Sequence, residues 1–228
     1  MAPNPVFLIT GASSGIGAAT ARHAIQAGYD LVLAARSRDK LDALVGELGA
    51  DRALAVTCDV TEWDQQQAMV AAATERFGKL DVVFANAGFG ASRGFLEESP
   101  EHWREMVLTN VYGAALTIRA TMTQLIGTKG HLLLTGSVAG RRAITGSLYS
   151  ATKWAVTAMG ESARQEFNDT GVRTTLIEPG MVDTPFFDTQ PNGALHPDDI
   201  ARAVIYAVTQ PPHVDVNEIL IRPTSQEL

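Results

Sequence analysis

The chain has 228 residues, of which 46% are hydrophobic and 19% are charged. This apolar content excludes an intrinsically disordered chain, and the length suits one or two domains with a sizeable core. The 18 basic and 25 acidic residues give a formal net charge of −7. That balance argues against a nucleic-acid-binding protein and against binding to anionic membranes.

The single cysteine, Cys58, excludes an internal disulfide, and the five histidines are scattered without metal-ligand spacing. We therefore expect no metal site. No apolar run approaches the ~18–20 residues that span a bilayer, and the apolar stretch Val6–Ile9 is too short for a signal peptide. These observations predict a cytoplasmic protein with neither a membrane nor a nucleic acid as its partner.

Short aliphatic runs alternate with longer amphipathic segments along the chain. Most of the runs are continuously apolar, which is typical of parallel strands that are covered on both faces. The segments between them have the length of crossover helices in βαβ units. The predicted strands are Val6–Ile9, Leu31–Ala35, Ala53–Thr57, Asp81–Ala85, His131–Thr135, Thr174–Ile177 and Glu218–Ile221.

This alternation predicts an α/β fold, a single doubly wound Rossmann-type domain over residues 1–228. Its parallel sheet has about seven strands, with helices on both faces. Three helix starts are recognisable. Thr61 with Asp64 fits an N-cap followed by an acidic residue, whereas Ser99-Pro100 and His196-Pro197 each place a cap before a proline in the first turn.

A glycine-rich turn, Thr10–Gly17, follows the first predicted strand and leads into a predicted helix. Its glycines allow a tight turn that approaches a pyrophosphate closely, and the helix N-terminus offers free N–H groups. The alternative is an ordinary strand-to-helix turn, but its place in the first βαβ unit favours dinucleotide binding. A second cluster, Gly88, Gly90 and Gly94, leads into a loop, which indicates a backbone passing close to a ligand.

The end of the second strand bears on which dinucleotide is bound. NAD sites usually carry an acidic residue there for the ribose hydroxyls, whereas this chain has Arg36 and Arg38, with no acidic residue before Asp39. Guanidinium groups suit a 2′-phosphate. We therefore expect NADP(H) as the cofactor, the alternative being that both arginines only lie on the surface.

Three further residues form a candidate catalytic set. Tyr149 and Lys153 are four apart in a segment that reads as a helix, so they share one face. A lysine ammonium favours a phenolate, and we expect it to lower the pKa of the tyrosine from about 10. Ser137 follows the fifth strand, where open α/β sheets bind ligands. Its sequence context is not the GxSxG turn of a hydrolase.

With these residues in place, the chain resembles the short-chain dehydrogenase/reductase family almost from end to end. The segments that carry the resemblance are Thr10–Gly17, Asp59-Val60, Asn86–Gly88, Asn110, Ser137, Tyr149–Lys153 and Pro179–Thr184. Two departures are small. Ala85 stands where the family more often has a second asparagine, and the interval between Ser137 and Tyr149 is about one residue shorter than is common.

The resemblance implies a role for each catalytic position. Tyr149 would be the general acid in reduction or the base in oxidation, and Ser137 would orient the reacting oxygen. Lys153 would lower the tyrosine pKa and hold the nicotinamide ribose. Asn110 would support a water-linked proton path, the alternative being that it marks a helix kink and binds a backbone carbonyl.

The cofactor-binding set combines the phosphate turn and Arg36 with positions that the resemblance implies. Asp59 and Val60 would border the adenine, and Val182 and Thr184 would contact the carboxamide. The full set is Gly11, Ser13, Ser14, Gly15, Ile16, Gly17, Arg36, Asp59, Val60, Asn86, Ala87, Gly88, Tyr149, Lys153, Pro179, Gly180, Val182 and Thr184.

The expected activity is that of a carbonyl reductase or alcohol dehydrogenase on a small-molecule carbonyl or alcohol substrate. The alternative is a non-catalytic dinucleotide-sensing protein on the same fold. A short segment, about 184–198, would cover the substrate. The candidate pocket residues are Phe89, Arg93, Arg141, Met181, Phe186 and Phe187. Arg93 or Arg141 would suit a substrate carboxylate, the alternative being a solvated arginine on the surface. The resemblance also implies a homodimer or homotetramer formed through helices around 103–127 and 149–169.

Overall fold

The computed structural model describes residues 3–187 and 191–226, where strands and helices alternate as the sequence predicts. The strands are β1 (Val6–Thr10), β2 (Asp30–Ala35), β3 (Ala53–Thr57), β4 (Val82–Ala85), β5 (His131–Thr135), β6 (Arg173–Pro179) and β7 (Glu218–Ile221). The α-helices are α1 (Gly15–Gln26), α2 (Arg38–Leu48), α3 (Trp63–Phe77), α4 (Pro100–Val107), α5 (Ala114–Thr128), α6 (Leu148–Phe167) and α7 (Pro197–Val208). A π-helical turn, Leu108–Gly113, joins α4 to α5, and short 3₁₀ turns cover Val138–Gly140 and Asn168–Thr170.

The seven strands form one parallel sheet of order β3-β2-β1-β4-β5-β6-β7. The predicted doubly wound α/β fold is confirmed. The chain runs outward from β1 to β3 on one side of the sheet and from β4 to β7 on the other. The direction of the connections therefore reverses between β1 and β4, and such a reversal opens a ligand-binding crevice at the carboxyl ends of the strands.

Helices pack on both faces of the sheet, which explains why the strands are continuously apolar. Phe7 and Ile9 of β1 lie in a cluster with side chains of α1, α2 and α7. The alternate residues Val6 and Leu8 lie in a second cluster with side chains of α3, α5 and α6. Each large side chain fully buried in this way contributes about 2 kcal/mol to folding, so the central strands form a firm base for the crevice.

Local capping confirms two of the three predicted helix starts. The Ser99 hydroxyl accepts a hydrogen bond from the backbone N–H of His102 at the start of α4. His196 caps α7, and the carboxylate of Asp199 accepts the backbone N–H of His196 at 2.7 Å. The prediction at Thr61 is wrong, because Glu62 is the N-cap of α3 and Asp59 engages the threonine hydroxyl.

Three further observations bear on the expectations from the sequence. The helix predicted at residues 149–168 is α6, which begins and ends one residue earlier. Within the described residues, no helix is both long and apolar enough to cross a membrane. Part of the substrate-covering segment predicted at 184–198, residues 188–190, lies outside the described residues.

Candidate active site

A cavity of about 720 Å³ lies at the carboxyl ends of the strands. Its wall is built by the segments that follow β1, β2, β3, β4 and β5, by the end of β6 and by the start of α6. Every predicted cofactor-binding residue except Gly17 lines it, and so do Ser137, Tyr149 and Lys153. Residues predicted from separate motifs therefore meet in one site.

The glycine turn at the end of β1 needs glycine for two different reasons. Gly11 and Gly15 have φ angles of +65° and +51°, a region that strains other residues. Gly17 is required by packing, because a Cβ there would lie 2.4 Å from the carbonyl oxygen of Gly11. Ser14 precedes α1 without a side-chain cap, which leaves the first N–H groups of the helix available to an anion.

The two arginines after β2 have different surroundings. Arg38 forms an ion pair with Asp42 on the same helix at 2.8 Å and does not line the cavity. Arg36 is exposed on the cavity wall and forms no ion pair among the residues that the structure describes. Of the two arginines expected to neutralise a 2′-phosphate, only Arg36 therefore lies on the cavity wall.

The floor of the cavity is tied together by Asn86. Its side-chain amide donates to the carbonyl of Thr10 at 3.0 Å, and its side-chain oxygen accepts the hydroxyl of Thr135 at 3.0 Å. These bonds join the ends of β1 and β5 beside β4. The backbone N–H groups of Asn86 and Ala87 both donate to the Thr10 hydroxyl, so protein groups hold this segment in place as the floor of the cavity.

Ser137 and Tyr149 come together because the turn after β5 packs against α6. The hydroxyl of Ser150 donates to the carbonyl of Ala139 at 2.5 Å, which fixes that turn beside the helix. Desolvation raises the pKa of Tyr149 to about 12, and a hydrogen bond with Ser137 acts in the opposite direction. The lowering expected from Lys153 is not what the structure shows, and the phenol holds its proton at neutral pH.

Lys153 lies one helical turn beyond Tyr149 and is only 4% exposed. Its ammonium donates to the carbonyl of Thr135 at 2.7 Å and lies 5.6 Å from the centroid of the tyrosine ring. Burial lowers the pKa of Lys153 to about 8. The side chain therefore remains charged at neutral pH, close to the phenol but bound to the backbone of β5.

Asn110 lies behind the cavity wall in the π-helical turn. Its side-chain oxygen accepts the N–H of Phe89 at 3.0 Å, and its amide donates to the carbonyl of Phe89 at 2.9 Å. The amide also reaches the hydroxyl of Thr152 at 3.2 Å. A Cβ on Gly88 would come within 3.0 Å of the Asn110 oxygen, so this glycine makes room for the bond. These contacts agree with the alternative interpretation of Asn110, in which the residue lies at an irregular turn of a helix and binds a backbone carbonyl.

Five of the six candidate pocket residues line the cavity, namely Phe89, Arg93, Met181, Phe186 and Phe187. Arg141 does not, and its assignment to the pocket is wrong. Its guanidinium is drawn away from the cavity by Glu178 of β6 at 2.7 Å and by Glu218 of β7. A substrate carboxylate would have to compete with both carboxylates for this cation.

Some wall residues carry no motif that sequence reasoning could have used. His102 and Glu105 of α4 line the cavity, although they precede the π-helical turn by several residues. Gln226 reaches it from the C-terminal segment, where its side-chain oxygen accepts the N–H of Met181 at 2.9 Å. Only the amphipathic pattern of α4 hinted at an inward face, and nothing in the sequence pointed to Gln226.

Comparison with known proteins agrees with this geometry. A family model described as short chain dehydrogenase matches residues 5–193. An uncharacterized oxidoreductase of Staphylococcus haemolyticus is 40% identical over 223 residues, 96% of each chain. The structure of an alcohol dehydrogenase from Thermococcus sibiricus, complexed with 5-hydroxy-NADP, is 36% identical with a TM-score of 0.92 and covers 98% of both chains. A 3-ketoacyl-(acyl-carrier-protein) reductase from Brucella melitensis, complexed with NADH, is 28% identical, with a TM-score of 0.90 over 97% of this chain and 98% of that one.

Proposed function

The chain belongs to the short chain dehydrogenase family of oxidoreductases, and from this premise we propose that it is an NADP(H)-dependent carbonyl reductase or alcohol dehydrogenase. The observation that carries the proposal is the meeting of Ser137, Tyr149 and Lys153 in the cavity that also contains the glycine turn. The substrate is a small-molecule carbonyl compound or its alcohol.

The cavity has the features that a dinucleotide needs. The uncapped N-terminus of α1 suits a pyrophosphate, and a Cβ on Gly11 would lie 2.9 Å from Ala87, so the backbone there leaves no room for a side chain. Arg36 suits a 2′-phosphate, and no carboxylate replaces it at the end of β2. Asp59 and Val60 would border the adenine, whereas Lys153 would hold the nicotinamide ribose and Thr184 the carboxamide.

The cofactor, when bound, supplies or accepts the hydride. In reduction the phenolic proton of Tyr149 passes to the carbonyl oxygen while the carbonyl carbon receives the hydride with its electron pair. Ser137 holds that oxygen by a hydrogen bond. The phenolate left behind is stabilised by the charge of Lys153 and regains its proton from water. A phenol with a pKa of about 12 is fully protonated at neutral pH, which suits the reductive direction.

The first test follows NADPH consumption optically with aldehydes, ketones, diketones and 3-oxo esters, with NADH in parallel. We expect turnover that favours NADPH and that falls at least 100-fold in Tyr149→Phe, since general acid catalysis contributes about 10²–10⁴-fold. Tight NADPH binding without any turnover would instead favour the dinucleotide-sensing alternative. A Tyr149→Phe variant that reduces carbonyl compounds as fast as the unchanged protein would contradict the mechanism.

The cofactor preference has its own variant. Arg36→Ala should lower kcat/KM for NADPH at least tenfold and leave that for NADH within about twofold, because only NADPH carries the 2′-phosphate. Arg38→Ala is the matched control, since Arg38 pairs with Asp42 and should change neither value. Equal losses with both cofactors would show that Arg36 acts through the fold.

We also propose a cytoplasmic homodimer or homotetramer. The outer face of α6 exposes Ala151 and Ala158, and such small residues allow a second helix to approach closely. Trp154 on the same face is 47% exposed and offers apolar surface to a partner helix. Light scattering should give a particle of at least twice the 24.3 kDa of the chain. A particle with the mass of a single chain would contradict the proposal of an oligomer.

A further inference from the structure

Phe186 crosses the cavity above the candidate catalytic tyrosine. Its ring centroid lies 5.4 Å from that of Tyr149 in an edge-on arrangement with an interplanar angle of 64°. On the other side, a Cβ added to Gly90 would be only 2.5 Å from Cζ of Phe186. The ring therefore spans from the segment after β6 to the loop after β4, with its tip against the backbone of Gly90.

The position of Gly90 is fixed independently of Phe186. Nε2 of His102 donates to the carbonyl of Gly90 at 2.9 Å, and the imidazole packs edge-on against Phe89 with a centroid distance of 5.2 Å. Gly90 is not among the glycines with a positive φ, so its conformation suits any residue. The lack of a side chain at this position serves to accommodate the ring of Phe186.

The surfaces around this bridge are apolar. Ile144, Met181 and Phe187 line the same cavity, and Phe187 packs edge-on against Phe186 at 5.0 Å. Arg93 and Glu105, which also line the cavity, are both exposed, and the buried ammonium of Lys153 donates to the backbone of β5. A substrate group that contacts Phe186 therefore meets aromatic and aliphatic carbon.

We propose that Phe186 and Gly90 act as one specificity element, which selects carbonyl compounds with a planar aromatic group next to the carbonyl. The inference rests on the proposed function. An aromatic ring gains offset or edge-on contact with Phe186, whereas a saturated ring is thicker and lacks the π face that this contact needs. Phe186 thereby determines specificity, and Gly90 positions it.

The test compares acetophenone with cyclohexyl methyl ketone, which has the same number of carbon atoms, as the ratio of kcat/KM with NADPH. The protein should prefer acetophenone, and Phe186→Leu, which keeps the apolar bulk, should lower the ratio about two- to tenfold, the size of an aromatic pair contact. Phe95→Ala is the control, because Phe95 is exposed, packs on Trp103 and does not line the cavity. An unchanged ratio in Phe186→Leu would overturn the inference.

A double-mutant cycle tests the link between the two residues. Gly90→Ala should push the ring away and lower the ratio as Phe186→Leu does, but it should have little further effect in the Phe186→Ala background. Additive losses would show that Gly90 acts on its own and would overturn the pairing. The NADPH dissociation constant should stay unchanged in every variant, which verifies folding.

The two levels of proposal fail differently. If both ketones are reduced with equal efficiency, the proposed function stands and the aromatic specificity is wrong. If neither these ketones nor the broader carbonyl panel is reduced, the proposed function fails and the specificity fails with it.

Discussion

Replacing Arg141 by methionine should expose how strongly one cation supports the base of the candidate active site. The guanidinium lies 2.7 Å from Glu178, whose side chain is 1% exposed, and also contacts the half-exposed Glu218. Burial raises the pKa of Glu178, whereas the hydrogen bond and charge of Arg141, together with a hydrogen bond from Thr157, lower it. Without the arginine, a carboxylate would stay buried with no cation beside it.

Removing one partner of a buried ion pair costs about 3–5 kcal/mol. Arg141 is itself 29% exposed, so water can replace part of its contribution, and we expect about 3 kcal/mol. For a chain of this size that corresponds to a Tm lower by about 6–12 °C. The loss should depend on pH. Because the folded protein holds the Glu178 proton more tightly than the unfolded chain, stability falls as pH rises above about 4.5, and it should fall more steeply in the variant.

Urea unfolding of the protein and of Arg141→Met at pH 5.5 and pH 8 measures both effects. Adding Glu178→Gln to Arg141→Met should recover most of the loss, since the buried charge is gone. Arg164→Met is the matched control, because Arg164 pairs with Glu161 on the surface, and the loss of such an exposed pair should change the stability little. A loss in Arg141→Met as small as in the control, or equal at the two pH values, would refute the reasoning.

Three further predictions concern the turn and two buried titratable groups. Gly17→Ala should weaken NADPH binding at least tenfold in a fluorescence titration, because the added Cβ would clash with the backbone. Gly46→Ala is the control and should leave binding unchanged, because a Cβ at Gly46 would have no other atom within 4 Å. His131 is fully buried, and burial lowers its pKa to about 3. Unfolding below pH 6.5 therefore takes up a proton, so the free energy of unfolding falls as the pH falls. His131→Gln should reduce the slope of this fall between pH 6 and 4 by up to about 1.4 kcal/mol per pH unit. Since burial lowers the pKa of Lys153 to about 8, kcat/KM for reduction should fall as pH rises above 8, and residual activity in Lys153→Arg should keep its level to higher pH.

The sheet could be predicted because its signals are local. Continuously apolar runs mark strands buried on both faces, and their order with the intervening helices restricts the topology to a few arrangements. Helix starts were predictable where one side chain decides them, as at Ser99. Thr61 shows the limit: its hydroxyl had two possible partners, and the carboxylate of Asp59 took it, which no pattern in the sequence could decide.

The positions of the site residues followed from motifs, but their electrostatics did not. Tyr149 and Lys153 are neighbours by helical spacing, and from that spacing alone the ammonium should lower the phenol pKa. In the structure desolvation raises the pKa of the phenol instead, and the ammonium donates to the Thr135 carbonyl rather than to the phenol. Helical spacing predicts which residues are neighbours, whereas their pKa values depend on the burial and charge of every group packed around them.

Contacts between distant segments account for what remained unpredicted. Arg141 was a candidate pocket residue, and the sequence could not exclude it because its partners, Glu178 and Glu218, lie on strands 37 and 77 residues further along the chain. The same holds for Phe186, whose place is defined by the missing side chain of Gly90. Chemistry common to a family is encoded in short motifs, whereas substrate selection arises where such segments touch. The sequence motifs therefore indicate the reaction class, whereas the residues that surround the Tyr149 phenol and select the substrate can be identified only from the three-dimensional structure.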